Sequence, residues 1–542
     1  MRTPETLTAA KSALSPSSPD RESKDATATV RAASSEDISA ALCIIGAGSG
    51  GGAMSGGGAI SGGGAISGGG AALAGFALPM SLPNRPPLAA AAAAAFGEKV
   101  VLVEKHKMGG DCLNYGCVPS KALLAAARRA ESMRTAAPFG IQAVEPHIDP
   151  RAVHDHVHAV IAAIAPNDSV ERFTGLGVRV IQSAGRFVDK RTVMAGDHRI
   201  RARRFVIATG SSPATPPIPG LDSVPYFTNE TIFDNAEKLH HLIVVGGGPI
   251  GMEMAQAHRR LGCRVTVLEG MRAFGKDDPE MSAIVLGALE KEGIDIRQNA
   301  KVERIEGSLG RVRAHISTAN GPEIIEGTHL LVAAGRKPNV ADLGLEAAGI
   351  AYDKRGITVD RGLQTSNSRV YAIGDVTGGL QFTHVANYHA GIVIRRALFR
   401  LPAKVDEAIV PWVTYTEPEL AHVGLNEEQA RKAYGKISVL RWPYHENDRA
   451  QAERATHGHV KVVTDAKGRI LGADIVGEHA GELIQTWALA VSQKMKIKAM
   501  TGWIAPYPTL GEISKRAAFR FYATAPSNPL LRKAIAWVKK LG

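Results

Sequence analysis

The sequence predicts an α/β protein with two Rossmann-like dinucleotide-binding domains, followed by a C-terminal α+β domain. Three observations lead there. Two strand–glycine–helix stretches of the G-x-G-x-x-G kind begin at Gly46 and Gly246. A closely spaced cysteine pair follows the first, and near Val410 the strand-and-helix alternation gives way to successive short strands.

A chain of 542 residues, 45% of them hydrophobic, can bury several cores. Four cysteines are too few for a secreted disulfide scaffold. No early apolar run has the length of a signal or membrane segment. Residues 1–36, rich in Ser, Thr, Ala and mixed charge, read as a disordered tail. A cytoplasmic protein without membrane association is therefore expected. The net charge of +12 is spread along the chain, and dinucleotides are themselves anionic, so it does not call for nucleic acid.

The first unit opens with the apolar run Ala41 to Ile45, which meets Gly46-Ala47-Gly48-Ser49-Gly50-Gly51. Such a turn lets backbone amides at a helix start hold a pyrophosphate. Here the helix is displaced. Four six-residue units, AGSGGG, AMSGGG, AISGGG and AISGGG, run from Ala47 to Gly70, and a proline-containing stretch continues to Pro87. Only then do a helix over 88–96 and the strand Val100 to Val103, ending at Glu104, appear. Gly51 and Glu104 are 53 positions apart, and removing residues 53–87 (35 residues) leaves 18, the spacing from Gly251 to Glu269 in the second unit. The segment 53–87 is thus an insertion. Either it loops out while strand and helix close around the cofactor, or it draws the helix start off the phosphate and impairs binding.

Cys112 and Cys117 lie in Gly109-Gly110-Asp111-Cys112-Leu113-Asn114-Tyr115-Gly116-Cys117-Val118-Pro119-Ser120-Lys121. A disulfide needs α-carbons within roughly 7 Å, whereas five helical steps rise about 7.5 Å. The pair therefore needs an irregular turn, which Gly116 and Pro119 can supply. Residues 118–129 suit a helix, which places Cys117 at its positive end and favours the thiolate. Two buried cysteines or half a metal site are the alternatives, but zinc pairs are spaced more tightly, and Cys43 and Cys263 add no ligand spacing, so no metal site is expected.

Phe205 to Ile207 form a strand leading into Thr209-Gly210, and Pro213, Pro216, Pro217 and Pro219 mark a crossing between domains. The second unit is uninterrupted: Leu242 to Val245, the glycines Gly246, Gly248 and Gly251, a helix over 252–261, and Val265 to Leu268 ending at Glu269. Glu269 would accept from a ribose 2′-hydroxyl and repel a 2′-phosphate, which favours NAD over NADP, while Arg272 weighs the other way. The segment Leu330 to Asn339, with Gly335, returns the chain to the first domain, where Val370 to Ile373 end in the turn Gly374-Asp375. Strands over 413–415, 437–440, 460–463 and 470–473, then a helix over 482–491, form the last domain. The expected organisation is a tail 1–36, a first domain in two parts (37–212 and 335–405), an inserted second domain 213–334, an interface domain 406–525 and a basic helix 526–542 that docks on the protein itself.

Together these motifs resemble the pyridine nucleotide–disulfide oxidoreductases, the family of dihydrolipoamide dehydrogenase, glutathione reductase and mercuric reductase. The resemblance spans roughly 40–525, and GGDCLNYGCVPSK is its most specific part. It implies FAD in the first domain, held by Gly46, Gly48, Gly51 and Glu104 on the adenine side and by Gly374 and Asp375 on the ribitol side, with Thr209 and Gly210 close to the flavin. It implies NAD(P)H, more readily NAD(H), at Gly246, Gly248, Gly251 and Glu269, with Gly335 also among the cofactor-binding residues. Electrons would pass from NAD(P)H through flavin to the redox pair, Cys117 facing the flavin and Cys112 meeting the substrate, with Lys121 and Glu253 paired nearby. A homodimer is implied in which Tyr507 and Glu512 act across the interface.

Two departures bear on the substrate, which is a metal ion or a small disulfide. Where many relatives carry His-Pro-Thr followed by Glu, this chain has Tyr507-Pro508-Thr509-Leu510-Gly511-Glu512. Tyrosine, with an ordinary pKa near 10, is a poor base at neutral pH. Mercuric reductases resemble the chain in carrying that tyrosine, yet they deliver metal through a C-terminal cysteine pair, and this chain ends Val538-Lys539-Lys540-Leu541-Gly542. The expected function is a mercuric-reductase-like flavin disulfide oxidoreductase. The alternatives are a dihydrolipoyl dehydrogenase and a flavin-poor pseudoenzyme impaired by its insertion.

Overall fold

A computed structural model of the protein describes residues 36–46 and 88–541. The expected tail up to residue 35, most of the glycine-rich stretch with Gly48 and Gly51, and the inserted segment lie outside these residues.

The first sheet runs parallel through Val178–Gln182, Val100–Glu104, Glu36–Ile45 and His198–Ile207, and the antiparallel strands Thr192–Ala195 and Gly185–Asp189 extend it. Val370–Ala372 pairs parallel with the end of His198–Ile207. The opening strand starts earlier than the apolar run alone indicates. Glu36 to Ala40 pair with His198 to Ala202, and Glu36 also binds Arg179 at 2.6 Å, so residue 36 belongs to the sheet and not to a tail. Helix Leu88–Ala95 is a run of alanines after its first residue, and Ala89 to Ala93 are buried against the sheet and helix Thr383–Ala397. Alanine combines high helix propensity with a small side chain, which permits close packing.

The second sheet is parallel throughout: Asp295–Arg297, Arg264–Leu268, His241–Val245 and His329–Val332. An antiparallel sheet of Lys301–Ser308, Arg311–Thr318 and Gly321–Gly327 packs against it through Ile305, Val312, Ala314 and Ile316. The chain enters and leaves this region through one ribbon, Ser211–Pro213 paired with Arg336–Pro338, at the proline-marked crossing.

Five antiparallel strands form the third sheet, in the order Pro411–Thr414, Glu419–Gly424, Ile470–Gly477, His459–Asp465 and Ile437–Pro443. Helices Ala480–Ser492 and Glu512–Phe519 pack on it around the fully buried Trp487, whose indole donates to Ser514 Oγ at 3.1 Å. Among the described residues, no helix is long and apolar enough to cross a membrane.

Candidate active site

Two helices broken at one point position the cysteines. Gly110–Asn114 is capped by Tyr115, and Cys117–Arg134 begins two residues after that cap, with Gly116 between them at φ −126° and ψ −109°. The break brings Cys112 and Cys117 together. Both are free thiols in this structure and they hydrogen-bond to each other. Cys117 is the first helical residue, so its sulfur meets the positive end of the helix.

The two sulfurs are electrostatically unequal. The Cys112 donor holds the Cys117 thiol below its ordinary pKa; burial opposes this, and the Lys121 ammonium reinforces it. Cys112 is pushed well up, first as that donor and then by burial. Thr383 Oγ1 lies 3.5 Å from Cys117 Sγ. Cys112 is buried and Cys117 is exposed.

Lys121 lies one turn further along the same helix, and its Nζ sits 2.8 Å from Glu253 Oε2. Glu253 is buried on helix Pro249–Arg260, and its other oxygen accepts from Tyr415 N at 3.0 Å. The Tyr415 ring lies 4.4 Å from the ammonium. Burial pushes the Lys121 pKa down, but Glu253 and then Cys117 outweigh it, so the net shift is upward and the ammonium persists. The cysteine helix and the second glycine unit are joined at this pair, and Ala122, Leu123 and Ala127 pack into the core shared with Met252 and Ala255. In Lys121→Met, the pH midpoint of Cys117 alkylation by iodoacetamide should move upward, because the charge favouring the thiolate is gone. A midpoint at or below that of the parent protein would exclude Lys121 as a source of the thiolate's stability.

A second polar group lies at the carboxyl end of the first sheet. Asp375 is 4% exposed, and its Oδ2 accepts from Ser211 Oγ at 2.6 Å. Arg336 donates to that hydroxyl at 2.7 Å and to the Ser211 carbonyl at 2.8 Å, and it approaches Asp111 at 3.2 Å. Burial raises the Asp375 carboxyl pKa, while Ser211 and Arg336 counter it. Thr209 is fixed by Asn339: its Oγ1 donates to the Asn339 carbonyl at 2.7 Å, and its own carbonyl accepts from the Asn339 side chain at 3.0 Å. Arg336 and Asn339 were not singled out from the sequence. Their signal is the run Gly335-Arg336-Lys337-Pro338-Asn339, in which Gly335 has φ +118°.

These residues fit FAD. Asp375 Oδ1 is buried without a hydrogen-bond partner, as an acceptor awaiting a ribitol hydroxyl would be. Gly46 has φ +98°, and a Cβ there would lie 2.7 Å from the Ala208 carbonyl, so only glycine lets the chain turn out of the sheet at that point. Glu104 ends the neighbouring strand, buried, and accepts from His106 N at 2.8 Å.

In the second unit, a Cβ on Gly251 would lie 2.0 Å from the Gly246 carbonyl, so glycine is what lets the helix start against the turn. Gly248 lies directly before that helix and has open space at its Cβ position. Glu269 accepts from Gly247 N at 2.7 Å and from Met271 N at 2.9 Å, which holds its carboxylate beside the glycine turn. Arg272 is turned into its own loop, donating to Gly275 O at 3.0 Å and Asp277 O at 3.1 Å.

Tyr507 is 69% exposed, and its hydroxyl donates to Asp448 Oδ2 at 3.0 Å. That bond raises the phenol pKa, so the group remains a proton donor at neutral pH. Glu512 opens helix Glu512–Phe519, and Asp448, which the sequence did not single out, is the carboxylate that engages the tyrosine. Among the described residues, no group of three or more His, Cys, Asp or Glu is arranged to hold a metal ion.

Two dinucleotide-type sheets flanking an unequal thiol pair define a dithiol oxidoreductase. The chain belongs to the pyridine nucleotide-disulphide oxidoreductase family: residues 88–390 match the family, and residues 410–518 match its dimerisation domain. The family is FAD-binding and uses NAD(P)H. The mercuric reductase of Lysinibacillus sphaericus is 38% identical over 431 residues, covering 79% of each chain. The dihydrolipoyl dehydrogenase of Geobacillus stearothermophilus is 35% identical over 445 residues, covering 80% of this chain and 93% of the relative. Among solved structures, the HOCl-induced flavoprotein disulfide reductase RclA from Escherichia coli has a TM-score of 0.73 at 26% identity, covering 88% of this chain and 99% of that one. LpdA from Mycobacterium tuberculosis has a TM-score of 0.76 at 25% identity, covering 90% and 100%.

Proposed function

We propose that this chain is a homodimeric NADH-dependent flavoprotein that passes two electrons through Cys117 and Cys112 to a metal ion, as the name mercuric reductase implies for its relatives, or to a small disulfide. The observation that carries this reading is the thiol pair itself, in which one sulfur is stabilised as thiolate beside Lys121 and the other is kept protonated. Bound FAD supplies the chemistry of accepting hydride from the nicotinamide and giving up its electron pair. Reduction of a Cys112–Cys117 disulfide takes two electrons and one proton, breaks the S–S bond, and leaves a thiolate on Cys117 and a thiol on Cys112. Lys121 and Glu253 hold the charge balance at Cys117, and Asp375 and Thr209 fix the cofactor. Tyr507 acts across the dimer by turning its hydroxyl proton from Asp448 to the bound acceptor, and Glu512 completes that surface.

The test is a thiol count on the FAD-loaded protein, denatured with and without prior NADH. NADH should expose two additional thiols per chain, and Hg(II) or Cu(II) should then drive continuous NADH oxidation. An unchanged count would overturn the proposal. Dihydrolipoyl dehydrogenase is the competing reading, since relatives of that name also match most of the chain. A tyrosine at the position of a histidine base should cost on the order of 10² in dihydrolipoamide oxidation. Turnover equal to that of the relative would decide for that enzyme.

For the nicotinamide, Glu269 is free of Arg272 and carries the preference for NADH. Glu269→Ala should reduce the NADH-to-NADPH ratio of kcat/KM by about tenfold, the value of one charged hydrogen bond. Steady-state assays with both coenzymes check this, and an unaltered ratio would assign the preference elsewhere.

A further inference from the structure

We infer that helix Pro529–Val538 is an in-plane anchor for an anionic lipid surface. It lies beyond the matched dimerisation domain, which ends at residue 518. The helix is locally well specified: Pro529 begins it, and the Asn528 side chain caps it by accepting from Leu530 N at 2.9 Å and Leu531 N at 3.3 Å. None of its residues is buried. Leu530 is 74% exposed, Trp537 64% and Val538 58%. A ten-residue helix gains little from its own hydrogen bonds in water, so this one needs a surface that covers its apolar side.

The residue order indicates which surface. At 3.6 residues per turn, Trp537, Leu530, Val538, Leu531 and Ile535 fall on one continuous arc of about 160°. Arg532 and Lys533 occupy the opposite arc, and Lys539 and Lys540 in the closing turn continue it. From Ile513 to Gly542 there are seven Lys and Arg and no Asp or Glu. A protein partner or second copy could cover the apolar arc, but it would not require an acid-free basic arc set against it. An anionic bilayer answers both features, since the apolar arc enters the acyl boundary, the cations meet lipid phosphates, and Trp537 sits at the edge of the arc, at interfacial depth.

Co-sedimentation of the full-length, FAD-loaded protein with vesicles tests this. The protein should bind phosphatidylcholine vesicles containing phosphatidylglycerol at least about tenfold more tightly than phosphatidylcholine alone, and salt should weaken the binding. Leu531→Glu/Val538→Glu and, separately, Lys539→Glu/Lys540→Glu should each lower the bound fraction at least about tenfold while NADH oxidation is retained. The tryptophan blue shift on binding should disappear in Trp537→Phe. Failure of the unaltered protein to bind phosphatidylglycerol vesicles would overturn the inference. So would an apolar-face variant that loses dimerisation in sedimentation velocity but keeps its vesicle affinity, because the face would then be a self-interface.

Discussion

Serine at position 117 should abolish NADH-driven reduction of any thiol-exchanging acceptor, lowering turnover by about 10³ or more while the fold stays intact. The expectation rests on the inequality of the two sulfurs. Cys117 begins a helix, accepts from Cys112 and faces Lys121, so no other thiol among the described residues is similarly activated: burial pushes Cys43 and Cys263 up to about 12. An ordinary free thiol titrates near 8.5. In the parent protein, reduced with NADH, alkylation of Cys117 should therefore set in at lower pH than this and rise as pH climbs through the depressed value. Cys112→Ala removes the thiol donor, the largest cause of the depression, and should move the onset upward. Thiol counting and pH-dependent alkylation followed by peptide mass analysis check both variants. Substantial turnover in Cys117→Ser would mean that electrons leave without passing through the pair.

Arg336→Ala should cost roughly 3 kcal/mol of stability and weaken FAD binding about tenfold. The guanidinium is 11% exposed on its side chain and serves Ser211, Asn229 and Asp111 at once, with Asp375 at 3.9 Å. Removing it leaves two carboxylates without a nearby cation and frees the serine hydroxyl that fixes Asp375. Lysine should recover only part of the loss, because a single ammonium cannot replace the fork that binds hydroxyl, carbonyl and carboxylate together. Urea unfolding curves and FAD titration of the apoprotein give both quantities. An unfolding midpoint equal to that of the parent would show the network to be energetically idle.

The features legible in the sequence are those in which neighbouring residues specify one another. The strand, glycine turn, helix and acid at Leu242 to Glu269 form one such local program, and the break at Gly116 could be deduced from the reach of a disulfide. Arg336 was missed because its role depends on Ser211 and Asp111, 125 and 225 positions earlier, and on Asp375, none of which a local window contains. Asp448 was missed for the same reason, since it meets Tyr507 only through tertiary folding. The strands over 301–327 alternate apolar Ile305, Val312, Ala314 and Ile316 with charged residues, so the period was present, but it was overshadowed by the stronger patterns on either side. Strand Glu419–Gly424 is short and buried along nearly its whole length, which leaves no alternation to detect.

The first sheet is completed by Val370–Ala372, which pairs with a strand that ended at Ile207, more than 160 residues earlier. A ribosome adding about 5–20 residues per second leaves Phe205 to Ile207 waiting roughly ten to thirty seconds for that neighbour. During this interval an apolar strand edge stands open to other nascent chains. Overproduction in a fast-translating host should therefore divert material into aggregates, whereas slower synthesis at reduced temperature should raise the soluble yield.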